Sequence, residues 1–145
     1  MTSLTDFFKF LSVSPPSGLI VAKKGATRVA ILRELEKQKI AFEITEIAEN
    51  SAEKDFFAVL EKALKKKAWL ALDVKTPNIP AWLFAKLREL SCNGHLRDSI
   101  KEKDYGIQLA KTRVLVLMSN DDLEASPFET LLSCFKIIFR KENNR

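Results

Sequence analysis

The sequence contains few of the residues that cross-link a chain or bind metal, with only two cysteines and one histidine among 145 residues. Cys92 and Cys134 lie far apart and form no CxxC motif, and His95 alone cannot complete a zinc site with them. This scarcity excludes a disulfide-rich scaffold and a zinc-stabilised fold. Because cysteine is among the most often buried residue types, we expect both thiols to be reduced and buried.

Long apolar runs are also missing. No segment reaches the roughly 18 uninterrupted apolar residues of a membrane span, and residues 1–18 lack the basic and apolar regions of a signal peptide. We therefore expect a cytoplasmic protein with no membrane partner. Only four glycines and five prolines are present, which excludes a collagen-like or low-complexity chain. The length predicts one domain, 1–145, with a substantial core.

The net charge of +5 permits attraction to nucleic acid or to acidic proteins without requiring either. Basic residues occur in both halves of the chain. The densest run is 65–67, three lysines at the end of a predicted helix, where cations complement the helix dipole. A phosphate-binding patch is the alternative for that run, so charge alone does not identify the partner.

Apolar runs and helical periodicities alternate along the chain. Strands are predicted at 19–22, 41–48, 68–72, 111–118 and 136–139. Helices are predicted within the N-terminal segment 1–17 and at 27–39, about 51–64, 81–90 and 128–134. This alternation predicts an α/β fold, a three-layer sandwich around a mostly parallel five-stranded sheet. The polar segment 92–110 is expected to form a hairpin-like insertion.

Several residues are predicted to begin or end these helices. Thr5 or Asp6 is expected to cap the first helix, and Asn50 or Ser51 the third. Pro80 fits the first position of the fourth helix, which Asn93-Gly94 should end. The second helix should bury one face, formed by Val29, Ile31, Leu32 and Leu35.

Ligands of parallel α/β sheets bind at the carboxyl ends of the strands. The loops after Ala22, Asp73 and Met118 therefore hold the candidate functional residues. A phosphate loop needs Gly-x-x-x-x-Gly-Lys-Ser/Thr, because glycine permits close backbone approach, lysine contacts phosphate and the hydroxyl binds magnesium. In the window 22–29, Ala22 and Thr27 replace the glycines, Arg28 replaces the lysine and Val29 the hydroxyl residue.

Taken in order, these loops make nearly the whole chain resemble the core of an AAA+ ATPase, a P-loop NTPase topology with eroded motifs. The resemblance implies that Asp73 corresponds to the magnesium-supporting aspartate, while Val74 stands where the water-polarising glutamate belongs. Asn120 fits the sensor position and Cys134 that of the arginine finger. The helical lid domain of the family is expected to be missing.

The resemblance implies a vestigial nucleotide site without a catalytic residue or metal. Its remaining residues would be Lys24, Gly25, Thr27, Arg28, Asp73 and Asn120. We expect no cofactor, with weak ATP binding left open. The expected function is that of a catalytically inactive AAA+-like domain, a structural or regulatory subunit that binds protein partners, including an AAA+ assembly.

Three alternatives stay open. The first is a nucleic-acid-binding module, whose contacts would be Lys23, Arg97, Lys111 and Arg113. The second is a sensor that binds nucleotide without hydrolysing it. The third concerns the fold, because the strand, loop and helix at 19–39 also resemble a glutaredoxin-like start, although the cysteine motif expected near Gly25 is absent.

Overall fold

The computed structural model gives the position of most of the chain. It describes residues 3–13, 16–22, 26–107, 112–119, 130, 132–135 and 138–140, without the side chains of 22, 26, 27 and 140. The helices are α1 (Leu4–Leu11), α2 (Ala26–Lys37), α3 (Glu53–Lys65) and α4 (Ala81–Asn93). The strands are β1 (Ser17–Ala22), β2 (Phe42–Ile47), β3 (Trp69–Val74), β4 (Leu96–Asp98), β5 (Lys103–Tyr105), β6 (Val114–Ser119) and β7 (Ile138–Arg140).

Five strands form one sheet in the order β2-β3-β6-β1-β7, and every pairing in it is parallel. The predicted mostly parallel five-stranded sheet is confirmed. Each residue of β3 and β6 is buried, as expected for central strands covered on both faces. The predicted hairpin is also present, because β4 and β5 pair antiparallel in a separate two-stranded sheet.

Side-chain alternation in β3 divides the core into two layers. Leu70 and Leu72 point to the side covered by α3, α4 and the hairpin, whereas Trp69 points to the side covered by α1 and α2. Phe7 and Phe8 of α1 are fully buried in the second layer. Helices therefore cover both faces of the sheet, which is the predicted three-layer arrangement.

Two helix starts differ from the prediction. Ser3, and not Thr5 or Asp6, caps α1, because its extended backbone lets its hydroxyl accept from the Asp6 N–H at 3.1 Å. The N-cap residue of α3 is Ala52, which makes no side-chain cap hydrogen bond. Ser51 instead accepts from the Ala48 N–H at 2.8 Å. Acidic residues in the first turn of α3 complement its dipole.

The ends of α4 are close to those predicted. Pro80 is the N-cap rather than the first helical residue, with its carbonyl accepting from the Leu83 N–H at 3.0 Å. Gly94 ends the helix at φ 75°, a left-handed conformation that glycine adopts without steric cost. Its N–H donates to the Leu90 carbonyl at 2.8 Å.

Two burial predictions were wrong. Val29 is 49% exposed, although Ile31 and Leu35 of the same helix are fully buried. Two helical residues correspond to a rotation of about 200°, so Val29 and Ile31 face nearly opposite directions.

Cys92 is exposed and Cys134 is buried, both as free thiols. Cys92 lies in the last turn of α4, beyond the stretch that packs on the sheet.

The C-terminal region is described only in part. Of the predicted helix 128–134, residues 130 and 132 are helical, while 128, 129 and 131 lie outside the described residues. The last strand is described over Ile138–Arg140, and residues 136 and 137 of the predicted strand lie outside the described residues. Among the helices in the described ranges, none has the length and apolar character needed to cross a bilayer.

Candidate nucleotide-binding edge

The carboxyl ends of the parallel strands bring together two of the predicted site residues. Arg28 lies in the first turn of α2 and Asp73 near the end of β3. The Arg28 Nη1 atom is 3.7 Å from the Asp73 Oδ2 atom, and the Lys75 Nζ atom is 3.1 Å from the same oxygen. One carboxylate therefore lies beside two cations.

The fold explains this arrangement. Alternation along β3 places Asp73 on the face of Trp69, which is the face that α2 covers. In the sheet, Asp73 is paired with Leu117 of β6, and β6 separates β3 from β1. Arg28 therefore reaches over β6 to meet Asp73. Lys75, which the sequence analysis missed, follows β3 directly and is fixed by its N–H donating to the Ile47 carbonyl at 2.9 Å.

Because Asp73 is buried, its carboxylate needs the two nearby cations to compensate its charge. Its side chain is only 8% exposed, and Oδ2 accepts no hydrogen bond from any residue in the described ranges. An ionised carboxylate withdrawn from water is costly unless charges nearby compensate it. Arg28 and Lys75 supply that compensation while remaining about half exposed to solvent themselves.

The other predicted nucleotide-site residues are placed less completely. Lys24, Gly25 and Asn120 lie outside the described residues, and Thr27 lies in α2 but its side chain is not described. Val29 is exposed in the first turn of α2, where the phosphate-loop motif requires a hydroxyl. The structure therefore joins Arg28 to Asp73 and shows an apolar side chain at the expected magnesium-binding position.

A divalent cation does not fit the described part of this edge. Asp73 already has two positive charges within 4 Å, and both would repel a metal ion at Oδ2. Val74, the next residue, is buried in the core and offers no oxygen ligand from its side chain. Within the described chain, no group of three or more His, Cys, Asp or Glu residues could hold a metal.

The residues predicted to contact nucleic acid are not gathered on one described surface. Lys23 and Lys111 lie outside the described residues. Arg97 is half exposed, and its Nη1 atom is 3.5 Å from the Asp104 carboxylate. Arg113 was expected on the surface but is only 6% exposed. We therefore remove Arg113 from the nucleic-acid hypothesis.

Arg113 instead holds α1 on the sheet. Its Nε atom donates to the Leu11 carbonyl at 2.9 Å, and Nη2 donates to the Ser12 carbonyl at 3.3 Å. These carbonyls belong to the C-terminal end of α1, where the helix dipole favours a cation. Burial lowers the pKa of Arg113 from its ordinary value. An arginine directly before a buried strand was the only sequence signal for this role.

A second set of polar residues lies between α3 and the hairpin. The Tyr105 hydroxyl donates to Glu61 Oε2 at 2.9 Å, while Lys103 and Lys65 lie 3.6 and 3.9 Å from the same carboxylate. Burial and this hydrogen bond raise the pKa of Tyr105 to about 12. The hydrogen bond from Tyr105 and the charge of Lys103 lower the pKa of Glu61. Sequence analysis did not find this group.

The strand order and the parallel pairing give a mostly parallel five-stranded α/β fold, consistent with the topology of P-loop NTPases. No family model and no curated protein matches the sequence. Among solved structures, the chain is similar to RuvB of Thermotoga maritima, a Holliday junction branch migration motor. RuvB is an AAA+ P-loop ATPase. The TM-score is 0.54 at 11% identity, over 99% of this chain. At this low identity the likeness describes the fold alone, and the chain spans 46% of the length of the RuvB chain.

Proposed function

We propose that this domain is a catalytically inactive AAA+-like domain that binds protein partners as a structural or regulatory subunit. The observation that carries the proposal is the ion pairing of Asp73 with Arg28 and Lys75. In an active P-loop NTPase, the corresponding carboxylate supports a magnesium ion that neutralises charge during phosphoryl transfer. Here protein cations occupy the surroundings of that carboxylate.

The residue after Asp73 supports the same conclusion. Val74 is 3% exposed and packs in the core, so it can neither accept a proton nor orient an attacking water. Cys134, at the position that the resemblance assigns to the arginine finger, is fully buried. An arginine finger contributes about 10³ to 10⁵ in rate, so its replacement alone would remove most of the activity.

Binding of protein partners is supported by the hairpin. Leu96, Tyr105 and Ile107 anchor it in the core, while Ile100 at its turn is 80% exposed. Asp98 Oδ1 accepts from the N–H groups of Ile100 and Lys101 at 3.1 and 3.4 Å, so the turn has a defined conformation. A fixed element that presents an apolar side chain suits recognition of another protein.

Capture by photo-crosslinking tests this function. A photoreactive amino acid is placed at Ile100, and in a control protein at Arg33, which is exposed on α2 across the sheet. We expect a defined crosslinked protein from the Ile100 position only. Identical crosslinks from both positions, or none from either, would argue against a protein-binding role for the hairpin.

A thermal melt with nucleotide separates this function from the sensor alternative. A ligand that binds only the folded state raises the melting temperature by mass action. We expect no rise with ATP and magnesium. A rise that saturates with ATP and disappears in Arg28→Ala would instead favour a sensor that binds nucleotide without hydrolysing it.

A further inference from the structure

A groove of about 330 Å³ lies between the C-terminal half of α3 and the hairpin. One wall belongs to α3 and carries the apolar side chain of Leu64 between the charged side chains of Glu61 and Lys65. The other wall is formed by β5 and the following Gly106. The lining residues are Glu61, Leu64, Lys65, Lys103, Asp104, Tyr105 and Gly106. This groove is separate from the edge that holds Arg28 and Asp73, because α3 and the hairpin pack on the opposite face of the sheet.

The groove runs along the edge of β5. Side chains of a strand alternate between its two faces, so a surface on one face contacts every second residue. Four consecutive residues, 103–106, line this groove, as expected where a strand borders a groove with its backbone edge. The other edge of β5 pairs with β4, and in the described chain no further strand pairs with β5. Within the described ranges, the edge of β5 that borders the groove is therefore unpaired.

Both walls are held in place before any ligand arrives. The Tyr105 ring stacks on Phe57 of α3 at 5.7 Å between centroids, and its hydroxyl donates to Glu61. On the far side of the hairpin, Lys86 Nζ donates to the Arg97 carbonyl at 2.7 Å. Glu89 accepts from the Arg97 N–H at 2.6 Å. A preformed groove avoids the cost of ordering its walls on binding.

The charge of the groove favours an acidic ligand. Lys65 and Lys103 share the single carboxylate of Glu61, which also accepts the Tyr105 hydrogen bond. The lysine side chains remain 78% and 55% exposed. The remaining carboxylate in the lining, Asp104, is paired with Arg97. With Asp104 counted together with Arg97, the two exposed ammonium groups exceed the remaining carboxylate of Glu61 by one positive charge.

We propose that this groove binds an extended, acidic segment of a partner protein, which adds to β5 as a third strand. The segment's backbone pairs with the open edge of β5, its carboxylates contact Lys65 and Lys103, and an apolar side chain rests on Leu64. This mode of recognition takes affinity from main-chain hydrogen bonds and specificity from alternate side chains. The proposal rests on the protein-binding function proposed above and names the chemistry of its partner.

Fluorescence anisotropy with synthetic peptides tests the proposal. The probe is a labelled peptide of about eight alternating glutamate and valine residues, long enough to cross the three-residue strand. One control peptide has lysine in place of glutamate, and a second has proline in place of two valines, which removes main-chain donors. We expect binding of the acidic probe only, weakening as salt rises.

Variants of the protein locate the binding. Lys65→Gln with Lys103→Gln should weaken binding of the acidic probe about tenfold or more, because both cations contact its carboxylates. The matched control is Lys54→Gln, on the same helix but about 16 Å away. Circular dichroism confirms that each variant folds. Three outcomes overturn the groove proposal. The double variant binds the acidic probe as tightly as wild type does, the proline peptide binds as tightly as the acidic probe does, or the acidic probe does not bind at all.

The crosslinking experiment distinguishes this failure from failure of the proposed function. If Ile100 crosslinks a partner in wild type and in the double variant alike, the protein-binding function stands and the groove proposal fails. If no partner is crosslinked and no probe binds, both fail.

Discussion

The Arg28 guanidinium lies 3.7 Å from the buried Asp73 carboxylate, joining the start of α2 to the end of β3 across the intervening strand β6. In the phosphate-loop motif that this segment resembles, a lysine at the position of Arg28 contacts phosphate. In this protein the cation of Arg28 contacts the carboxylate of Asp73. The start of α2 and the end of β3, which would form a nucleotide site in that motif, thus compensate the buried charge of Asp73.

A double-mutant cycle should detect this pair. We expect Arg28→Ala and Asp73→Asn to show a coupling of about 0.5–1 kcal/mol in urea unfolding, because Asp73 is buried but Arg28 is half exposed. The Arg97–Asp104 pair is the control: it has a similar distance of 3.5 Å but is exposed on both sides. Its coupling should be smaller. Zero coupling for the Arg28 pair would show that Lys75 alone compensates Asp73.

Replacing Arg113 should loosen α1. Arg113→Met leaves the carbonyls at the end of α1 without their donors, which should cost about 1–3 kcal/mol of folding free energy. Amide hydrogen exchange within Leu4–Leu11 should accelerate more than exchange in β3. Arg97→Met, at a half-exposed position, serves as the control and should change stability by less than about 0.5 kcal/mol. Unchanged protection of α1 in Arg113→Met would refute the docking role.

The protein contains a single tyrosine, so tyrosinate absorbance reports Tyr105 alone. We expect a titration midpoint near the raised pKa of about 12 in the folded protein and near 10 in urea. Because the folded pKa is raised, the stabilisation it represents is complete below pH 10 and is lost as the pH rises from about 10 to 12.

Glu61→Gln is the matched variant for this titration. It keeps an acceptor for the Tyr105 hydroxyl but removes the negative charge that disfavours tyrosinate. The Tyr105 midpoint should therefore fall while remaining above its ordinary value, since burial persists. An unchanged midpoint would mean that Glu61 does not contribute to the pKa of Tyr105.

The two thiols should react at different rates. Cys92 is exposed, whereas Cys134 is fully buried, and burial raises the pKa of its thiol. Because the thiolate is the reactive form, we expect one equivalent of a thiol reagent to be consumed quickly and the second only on unfolding. Cys92→Ser should abolish the fast phase. A fast phase that persists in that variant would contradict the burial of Cys134.

Much of the fold could be predicted from the sequence because its central strands contain continuous apolar runs, such as residues 114–118 of β6. Gly94 was likewise predicted as the end of α4, since its type fits a left-handed cap. The failures involve contacts between distant segments. Arg113 meets Leu11 across 102 residues, and Tyr105 meets Glu61 across 44 residues. No local pattern reports such contacts.

At the carboxyl edge of the sheet, sequence reasoning predicted Arg28 and Asp73 as site residues but not their direct pairing or the approach of Lys75. The phosphate-loop motif specifies how each residue contacts a nucleotide. The pairing of Arg28 with Asp73 depends instead on the distance between α2 and β3. Val29 was assigned to the buried face although it lies two residues before Ile31, a helical rotation of about 200° that turns it to the opposite side.

Phosphate release from ATP in the presence of magnesium, compared between wild type and Asp73→Ala, is the sharpest test of whether protein cations stand in for a metal at Asp73. If cations of the protein have replaced the metal at Asp73, both proteins should release phosphate at the rate of buffer alone. Release by the wild type that Asp73→Ala abolishes would mean that the edge is a working catalytic site and that Arg28 and Lys75 have not replaced a metal at Asp73.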